Sequence, residues 1–255
     1  DTIRATYTTG GGTAGNVGAG AIEELKTPIS LVESVNNPLP AAGGTDVEAV
    51  EAAAARAASE RKTRRRAVTP ADFEQIAATA VRNLATVACT PHQGPDGDRN
   101  PGWVTLLIVP DTSSERPTPS REVQHRVRQA VSEAAPARLT DGDQSRIAVR
   151  GPTYAPVSVE ATVRSTGHRS LSEHKQAIES ALSAYLHPLT GGPNGTGWSF
   201  GEPPTVEGVE SCLRSIETVE AVTELSATVQ LGDQQVRLRR GRPPTFPVDG
   251  LVCAG

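Results

Sequence analysis

The sequence predicts an α+β fold: two small α/β sandwich modules that follow an extended, glycine-rich β segment and a connecting helix. Three observations predict it. Apolar and polar residues alternate over Thr2–Thr8 and again over Val157–Arg164, the period of a half-buried strand. Helix-start signals stand at Thr45, Thr69, Ser120 and Ser170, each followed by a helical apolar stripe. The order of these signals, α-β-β-α-β and then β-α-α-β-β, gives each half the parts of a compact two-layer unit. On this reading residues 1–44 are the C-terminal part of a truncated β-rich core domain and 45–66 a connecting helix. Residues 67–150 are the first sandwich and 151–255 the second.

The N-terminal segment places Ile3, Ala5 and Tyr7 on one face of a strand, then reaches a glycine cluster at Gly10, Gly11, Gly12, Gly15, Gly18 and Gly20. Ala21–Val35, interrupted by Pro28, fits short strands and turns, and Asn36–Pro40 is loop chemistry. Thr45 and Glu48 have capping-box spacing and open a helix with a narrow, mostly alanine stripe. Thr69 caps the next helix, with Pro70 at its first position and Asp72 near its positive end. Phe73, Ile76, Ala77, Ala80 and Leu84 form its buried side. A strand follows within Val81–Thr90, then a hairpin loop over Pro91–Gly102. Trp103–Val109 is a near-continuous apolar run, the pattern of a strand covered on both faces. Ser120 caps a helix with Val123, Val127 and Val131 on one side, and Arg146–Arg150 closes the unit as a strand.

In the second half, Val157, Val159, Ala161 and Val163 alternate with polar residues. Ser170 and Glu173 form a capping box, with Ile178, Ala181, Leu182 and Tyr185 facing inward and Pro188 ending the helix. A long glycine-rich loop runs from Leu189 to Pro204. A short helix follows with Val206, Val209, Leu213 and Ile216, then a strand at Leu225–Leu231. Val236–Arg240 and Leu251–Cys253 supply the last strands.

Composition narrows the function classes. A net charge of -4 carries no global basic field for nucleic acid or anionic lipid. No apolar stretch approaches the ~20 residues of a membrane helix, so neither nucleic acid nor membrane insertion is expected of this chain. Three cysteines, Cys89, Cys212 and Cys253, lack metal-ligand or disulfide-framework spacing and suit a reducing compartment. With no methionine and a start at Asp1 that reads as mid-strand, the chain is expected to be part of a longer polypeptide.

No motif carries catalysis. Gly10–Gly15 matches the spacing of a dinucleotide fingerprint, but that fingerprint must open a helix, and Asn16-Val17-Gly18-Ala19-Gly20 does not propagate one. The glycines read instead as turns and close backbone approaches. The five histidines form no metal motif, and no nucleophile elbow is present. No catalytic, cofactor-binding or metal-binding residue is assigned, and no cofactor is expected. His174 reads as a satisfied structural histidine. Arg64, Arg65 and Arg66, within the basic run 61–66, and the cluster Arg237, Arg239, Arg240 and Arg242 read as protein-contact surfaces, since interleaved aromatics are missing. In the loop from Leu189 to Gly201, Gly191 and Gly192 with Trp198 and Phe200 are the candidates for interface or structural anchoring. Gly10, Gly11, Gly12, Gly15 and Asn16 are the matching candidates in the first cluster.

Several segments together resemble one family. Tyr7-Thr8-Thr9-Gly10-Gly11-Gly12-Thr13-Ala14-Gly15-Asn16-Val17 is similar to the tyrosine, triple-glycine and Gly-Asn-Val signature of the baseplate J-like proteins, wedge subunits of contractile phage tails and contractile injection systems. Asn37–Asp46 resembles that family's approach to its long helix, and Arg65–Glu74 its next helix start. Gly151–Val157 and Leu189–Gly201 resemble two further landmarks. The resemblance implies a structural protein without catalytic residues. It would link neighbouring wedges, both its own kind and a related wedge protein, around the central hub and spike. It would also contact sheath-proximal proteins, couple baseplate rearrangement to sheath contraction, and sit in a phage tail-like particle assembled in the cytoplasm. The alternatives are a nucleotide-dependent oxidoreductase built on the first glycine cluster, or a receptor- or glycan-contacting tail module using Trp198.

Overall fold

A computed structural model describes Arg4 and residues 10–41, 44, 46–51, 53, 54, 57, 66–140, 145–166, 170–241 and 243–255. The fold is α+β. Two compact units divide the chain: Asp1–Thr112 with Pro119–Arg150, and Ser113–Thr118 with Gly151–Gly255.

In the first unit, helix α1 (Pro70–Ala80) begins as the sequence predicts. The Thr69 hydroxyl accepts from the Asp72 N–H at 3.3 Å while the Asp72 carboxylate accepts from the Thr69 N–H at 2.8 Å. Strand β1 (Leu84–Gln93) pairs antiparallel with β2 (Arg99–Pro110), and β2 pairs parallel with β3 (Ile147–Arg150), in the order β1-β2-β3. Helix α2 (Arg121–Ala134), capped by Ser120, lies between β2 and β3 in sequence, with the short α3 (Ala137–Thr140) after it. Alternation on β2 and β3 puts Leu106, Ile108, Ile147 and Val149 into one core with Phe73 and Ala77 of α1 and Val123, Val127 and Val131 of α2. Leu107 and Val109 on the other face of β2 are also fully buried, which is why this strand reads as an unbroken apolar run. Each such side chain taken from water stabilises the fold by about 1.5–3 kcal/mol.

The hairpin loop is shorter than the sequence suggests. Pro91 and Pro101 read as breakers, yet both lie in strands, and the loop is only the residues between Gln93 and Arg99. β1 is an edge strand, where a proline's missing N–H costs no ladder bond. A bulge at His92, whose φ is 61°, absorbs the irregularity. The outer edge of β1 is itself partly closed, because the Cys89 N–H donates to the Glu74 carboxylate of α1 at 2.9 Å.

In the second unit, β4 (Thr153–Ser165) and β5 (Val219–Leu231) form the centre of a sheet ordered β6-β5-β4-β7, with β6 (Gln234–Arg237) antiparallel to β5 and β7 (Gly250–Ala254) parallel to β4. Helix α4 (Leu171–Leu186) opens on the predicted capping box of Ser170 and Glu173. Helix α5 (Val206–Arg214), capped by Thr205, packs Val209 and Leu213 against β5. Ala155, Val157, Ala227, Val229 and Val252 are buried on one face of the sheet, and Leu251 is buried on the other.

The N-terminal segment differs from the expectation. The predicted strand Thr2–Thr8, apart from Arg4, lies outside the described residues, as do Thr45, Arg64 and Arg65. Among the described residues of 10–41 there is a 3-10 turn, Gly12–Gly15, and no strand over Ala21–Val35. The backbone there bonds instead to the Asn37 side chain, which accepts from Ile22 N–H at 2.8 Å and donates to the Gly18 and Leu39 carbonyls at 2.8 and 2.9 Å. Val50, Glu51, Ala53, Ala54 and Ala57 are helical, but Asp46–Ala49 are not. The Asp46 carboxylate accepts from the Thr13 N–H and hydroxyl at 3.0–3.1 Å, which draws that stretch toward the 3-10 turn and away from a helical start.

The two capping boxes are tested by Thr69→Ala and Ser170→Ala. Each is expected to lower stability by about 1 kcal/mol, read as a fall in the urea midpoint at unchanged slope.

Candidate functional site

Two glycine-bearing segments hold the candidate residues, and they are built differently. In the first, Asn16 does the work of a short strand pairing. Its side-chain amide donates to the Gly44 carbonyl at 2.8 Å and accepts from the Gly44 N–H at 2.7 Å. The Ala41 N–H donates to the Val17 carbonyl at 2.9 Å alongside. Gly44 must be glycine, because a Cβ there would collide with the Gly12 carbonyl. Gly12 itself has φ 61°, a left-handed conformation that a branched side chain resists. By contrast, Gly10, Gly15 and Gly18 have open space where a Cβ would point, and Gly11 meets nothing closer than 3.9 Å. Their small size answers to nothing within the described residues.

No described residue before Ala67 is buried. Ile22, Ile29, Leu31, Val32, Leu39, Val47 and Val50 all expose large apolar side chains, Leu31 completely. Glu48 and Arg82 approach to 4.0 Å, a contact of the exposed kind that contributes ~1 kcal/mol at most. Arg66 is exposed.

The second segment closes on its own unit. The Gly192 N–H donates to the Tyr185 carbonyl at 2.7 Å, Gly191 N–H to His187 at 2.9 Å, and Trp198 N–H to Pro188 at 2.9 Å. His187 Nδ1 accepts from the Leu189 and Thr190 N–H groups, each at 3.2 Å, which satisfies the start of the loop. Gly191 has no room for a Cβ against the Tyr185 carbonyl, and Gly197, at φ 87°, lies 2.7 Å from the Leu189 carbonyl by the same measure. Trp198 is 6 % exposed, donates its indole N–H to the Tyr185 carbonyl at 3.1 Å, and meets the Tyr185 ring edge-on at 5.5 Å. An indole so enclosed offers no face on which a sugar could stack. Phe200 is half-buried. The Tyr185 hydroxyl in turn abuts Gly208 of α5, where a Cβ would collide with it.

The described cysteines and Glu210 have perturbed acidities. Burial, with the Glu74 carboxylate adding to it, pushes the Cys89 thiol up to about 12. Burial also raises Cys212 and Cys253. All three are therefore poor nucleophiles. Hydrogen bonds from Arg214 and then Arg240 hold the Glu210 carboxyl below the usual range. Arg240 thus belongs to an internal network rather than to a free basic patch, and Arg242 lies outside the described residues. His174 is buried as expected, and its Nδ1 has no hydrogen-bond partner among the described residues. No group of three or more metal-ligating side chains occurs among the described residues, and no described helix is long and apolar enough to cross a membrane. The first glycine cluster opens no α-helix: its 3-10 turn ends at Gly15, and Asn16–Gly18 are irregular. It therefore lacks the helix N-terminus that would hold a pyrophosphate.

Sequence reasoning found Asn16, Gly191 and Trp198 but missed their counterparts Gly44, Asp46, Asn37, Tyr185 and His187. The available signals were the Asn-Pro and Gly-Gly dipeptides at 37–38 and 43–44, and an aromatic on the last turn before the loop.

No protein-family model matches the sequence. Comparison with curated proteins gives no significant match. Among solved structures, the chain is similar in fold to a chain of the anti-feeding prophage baseplate, determined by cryo-EM and six-fold symmetrised. The TM-score is 0.57 at 18% identity. The likeness covers 96% of this chain and 51% of that one, so this chain spans about half the length of its structural relative.

Two measurements check this geometry. Trp198→Ala is expected to cost the second unit about 3–5 kcal/mol, read by urea unfolding of the variant. Iodoacetamide at pH 8 is expected to label the three thiols slowly in the native chain and all at once after denaturation. Rapid native labelling of Cys89 contradicts the burial argument.

Proposed function

We propose that this chain is a structural baseplate component of a contractile tail or contractile injection system, and specifically a wedge subunit of the baseplate J-like kind. What carries the reading is the fold likeness to a baseplate chain, which runs along 96% of this chain. Two further observations support it. Five ordered sequence landmarks resemble the family. No described residue before Ala67 is fully buried, as suits a segment completed by neighbours. In this role the chain joins neighbouring wedges, its own kind and a related wedge protein, around the hub and spike. It contacts sheath-proximal proteins, transmits baseplate rearrangement to the sheath, and performs no catalysis. Its place is a phage tail-like particle assembled in the cytoplasm. Obligate contacts of this kind commonly bury about 2,000 Å² or more.

The test is to express a tagged copy in the source cells and image the purified particles. Label at the baseplate end, repeated around the tail axis, is the expected result. Label along the tube or sheath, or particles without it, contradicts the reading. Gly12→Val, placed at φ 61° beside Gly44, is expected to reduce incorporation at least several-fold. Normal incorporation counts against a packing role for the first turn.

A further inference from the structure

The first unit's sheet is ordered β1-β2-β3, so the outer side of β1 is an edge. A row of free N–H and C=O groups on such an edge is a template for another strand. The register shows which residues of β1 face outward. Thr86, Ala88 and Thr90 stand opposite Val109, Leu107 and Thr105 of β2. The Val104 N–H donates to the Arg146 carbonyl at 2.9 Å, so even-numbered residues of β2 turn their peptide groups toward β3 and odd-numbered ones toward β1. Thr86, Ala88 and Thr90 therefore bond to β2, while Val87, Cys89 and Pro91 turn their peptide groups outward. The Cys89 N–H agrees, since it leaves the ladder and donates to the Glu74 carboxylate at 2.9 Å.

The outward positions are poor in donors. Pro91 has no N–H, and the Cys89 N–H is occupied, so Val87 alone keeps a donor for an incoming strand. Both ends of the stretch are irregular. Ala85 is an extra residue of β1 in the shift between Leu84 and Thr86, and His92 has φ 61°. Bulges of this kind bend a strand and end its pairing. The proline and the bulges are fixed in the backbone, whereas the Glu74 contact is made by a side chain. Phe73 and Ala77, buried in the core on either side of it along α1, hold that helix in place. Lay β1 of a second copy antiparallel on this edge with Cys89 opposite Cys89. With Glu74 withdrawn, the Cys89 residues exchange N–H···O=C bonds and each Val87 N–H reaches a Pro91 carbonyl. With Glu74 in place, the central Cys89 bonds are lost, and the two carboxylates are brought together across the axis.

We infer that Glu74 is an autoinhibitory latch: by occupying the Cys89 N–H, its carboxylate keeps the β1 edge from pairing with the same edge of a second copy of this chain. The inference stands on strand geometry and does not depend on which particle contains the chain.

Analytical ultracentrifugation of the full chain tests it. Glu74→Ala frees the Cys89 N–H and is expected to strengthen self-association about tenfold or more over the native chain, roughly the weight of one hydrogen bond to an ionised group. Glu74→Gln keeps a side-chain oxygen that can accept from Cys89, and is expected to sediment as the native chain does. Adding Cys89→Pro to Glu74→Ala removes the freed donor at a position whose N–H the β1–β2 ladder does not use. This double variant is expected to return to native sedimentation. If it loses the native circular dichroism spectrum, the contrast between Glu74→Ala and Glu74→Gln decides alone. Three results overturn the latch. One is a Glu74→Ala chain that sediments as the native one. Another is equal association of Glu74→Gln, which assigns the effect to charge alone. The third is association that persists in a folded double variant, which places the contact elsewhere than this edge. Each of these leaves the functional reading standing.

Discussion

The amide of Asn16 bonding both backbone groups of Gly44 is the contact on which the N-terminal segment depends. It joins two stretches separated by 28 residues, and Asn37 and Asp46 repeat the device on either side of Gly44. All are side-chain-to-backbone hydrogen bonds. Each contributes on the order of 1 kcal/mol net, about what it costs to fix the backbone of one residue. Such bonds choose a conformation among alternatives; they do not drive a segment this long to fold. Folding normally draws that drive from apolar burial, and no described residue before Ala67 is fully buried, Val17, Leu25 and Val35 being only partly so. The segment is specified by its own side-chain-to-backbone hydrogen bonds and has no fully buried side chain among the described residues.

The remainder of the chain is the opposite case. From Ala67 onward each unit has its own sheet, capped helices and a continuous core. The second glycine-rich loop belongs with this self-sufficient part. Its glycines answer to the chain's own carbonyls at Tyr185, His187, Pro188 and Leu189, and Trp198 fills space over Tyr185. Two loops of similar composition thus have different physical reasons. One accommodates its own unit, and the other leaves Gly10, Gly15 and Gly18 facing open space.

The local signals in the sequence were the most readable. The caps at Thr69, Ser120 and Ser170 and the alternation along β4 each rest on residues adjacent in the chain, so a single sequence contains them. Readings failed where a distant partner decided the matter. Pro91 looks like a loop residue until β1 is known to be an edge strand, and Pro101 until it is placed in the register shift between β1 and β2. Ala21–Val35 looks like strand and turn until the Asn37 side chain captures the Ile22 N–H at its start. Trp198 was recognisable as an anchor from the cost of leaving an indole in water. Its destination on Tyr185 was not, because the contact crosses a loop whose path is set by glycines at positive φ.

Hydrogen exchange on the free chain and on assembled particles tests the central claim most directly. The amides of Ile22, Ala41 and Gly44, bonded but not fully buried, are expected to exchange within seconds in the free chain. In the particle they are expected to slow at least tenfold, while amides of β2, buried in both states, keep the same protection. Equal and strong protection of Ile22, Ala41 and Gly44 in the free chain contradicts the account, because the segment then holds itself without neighbours.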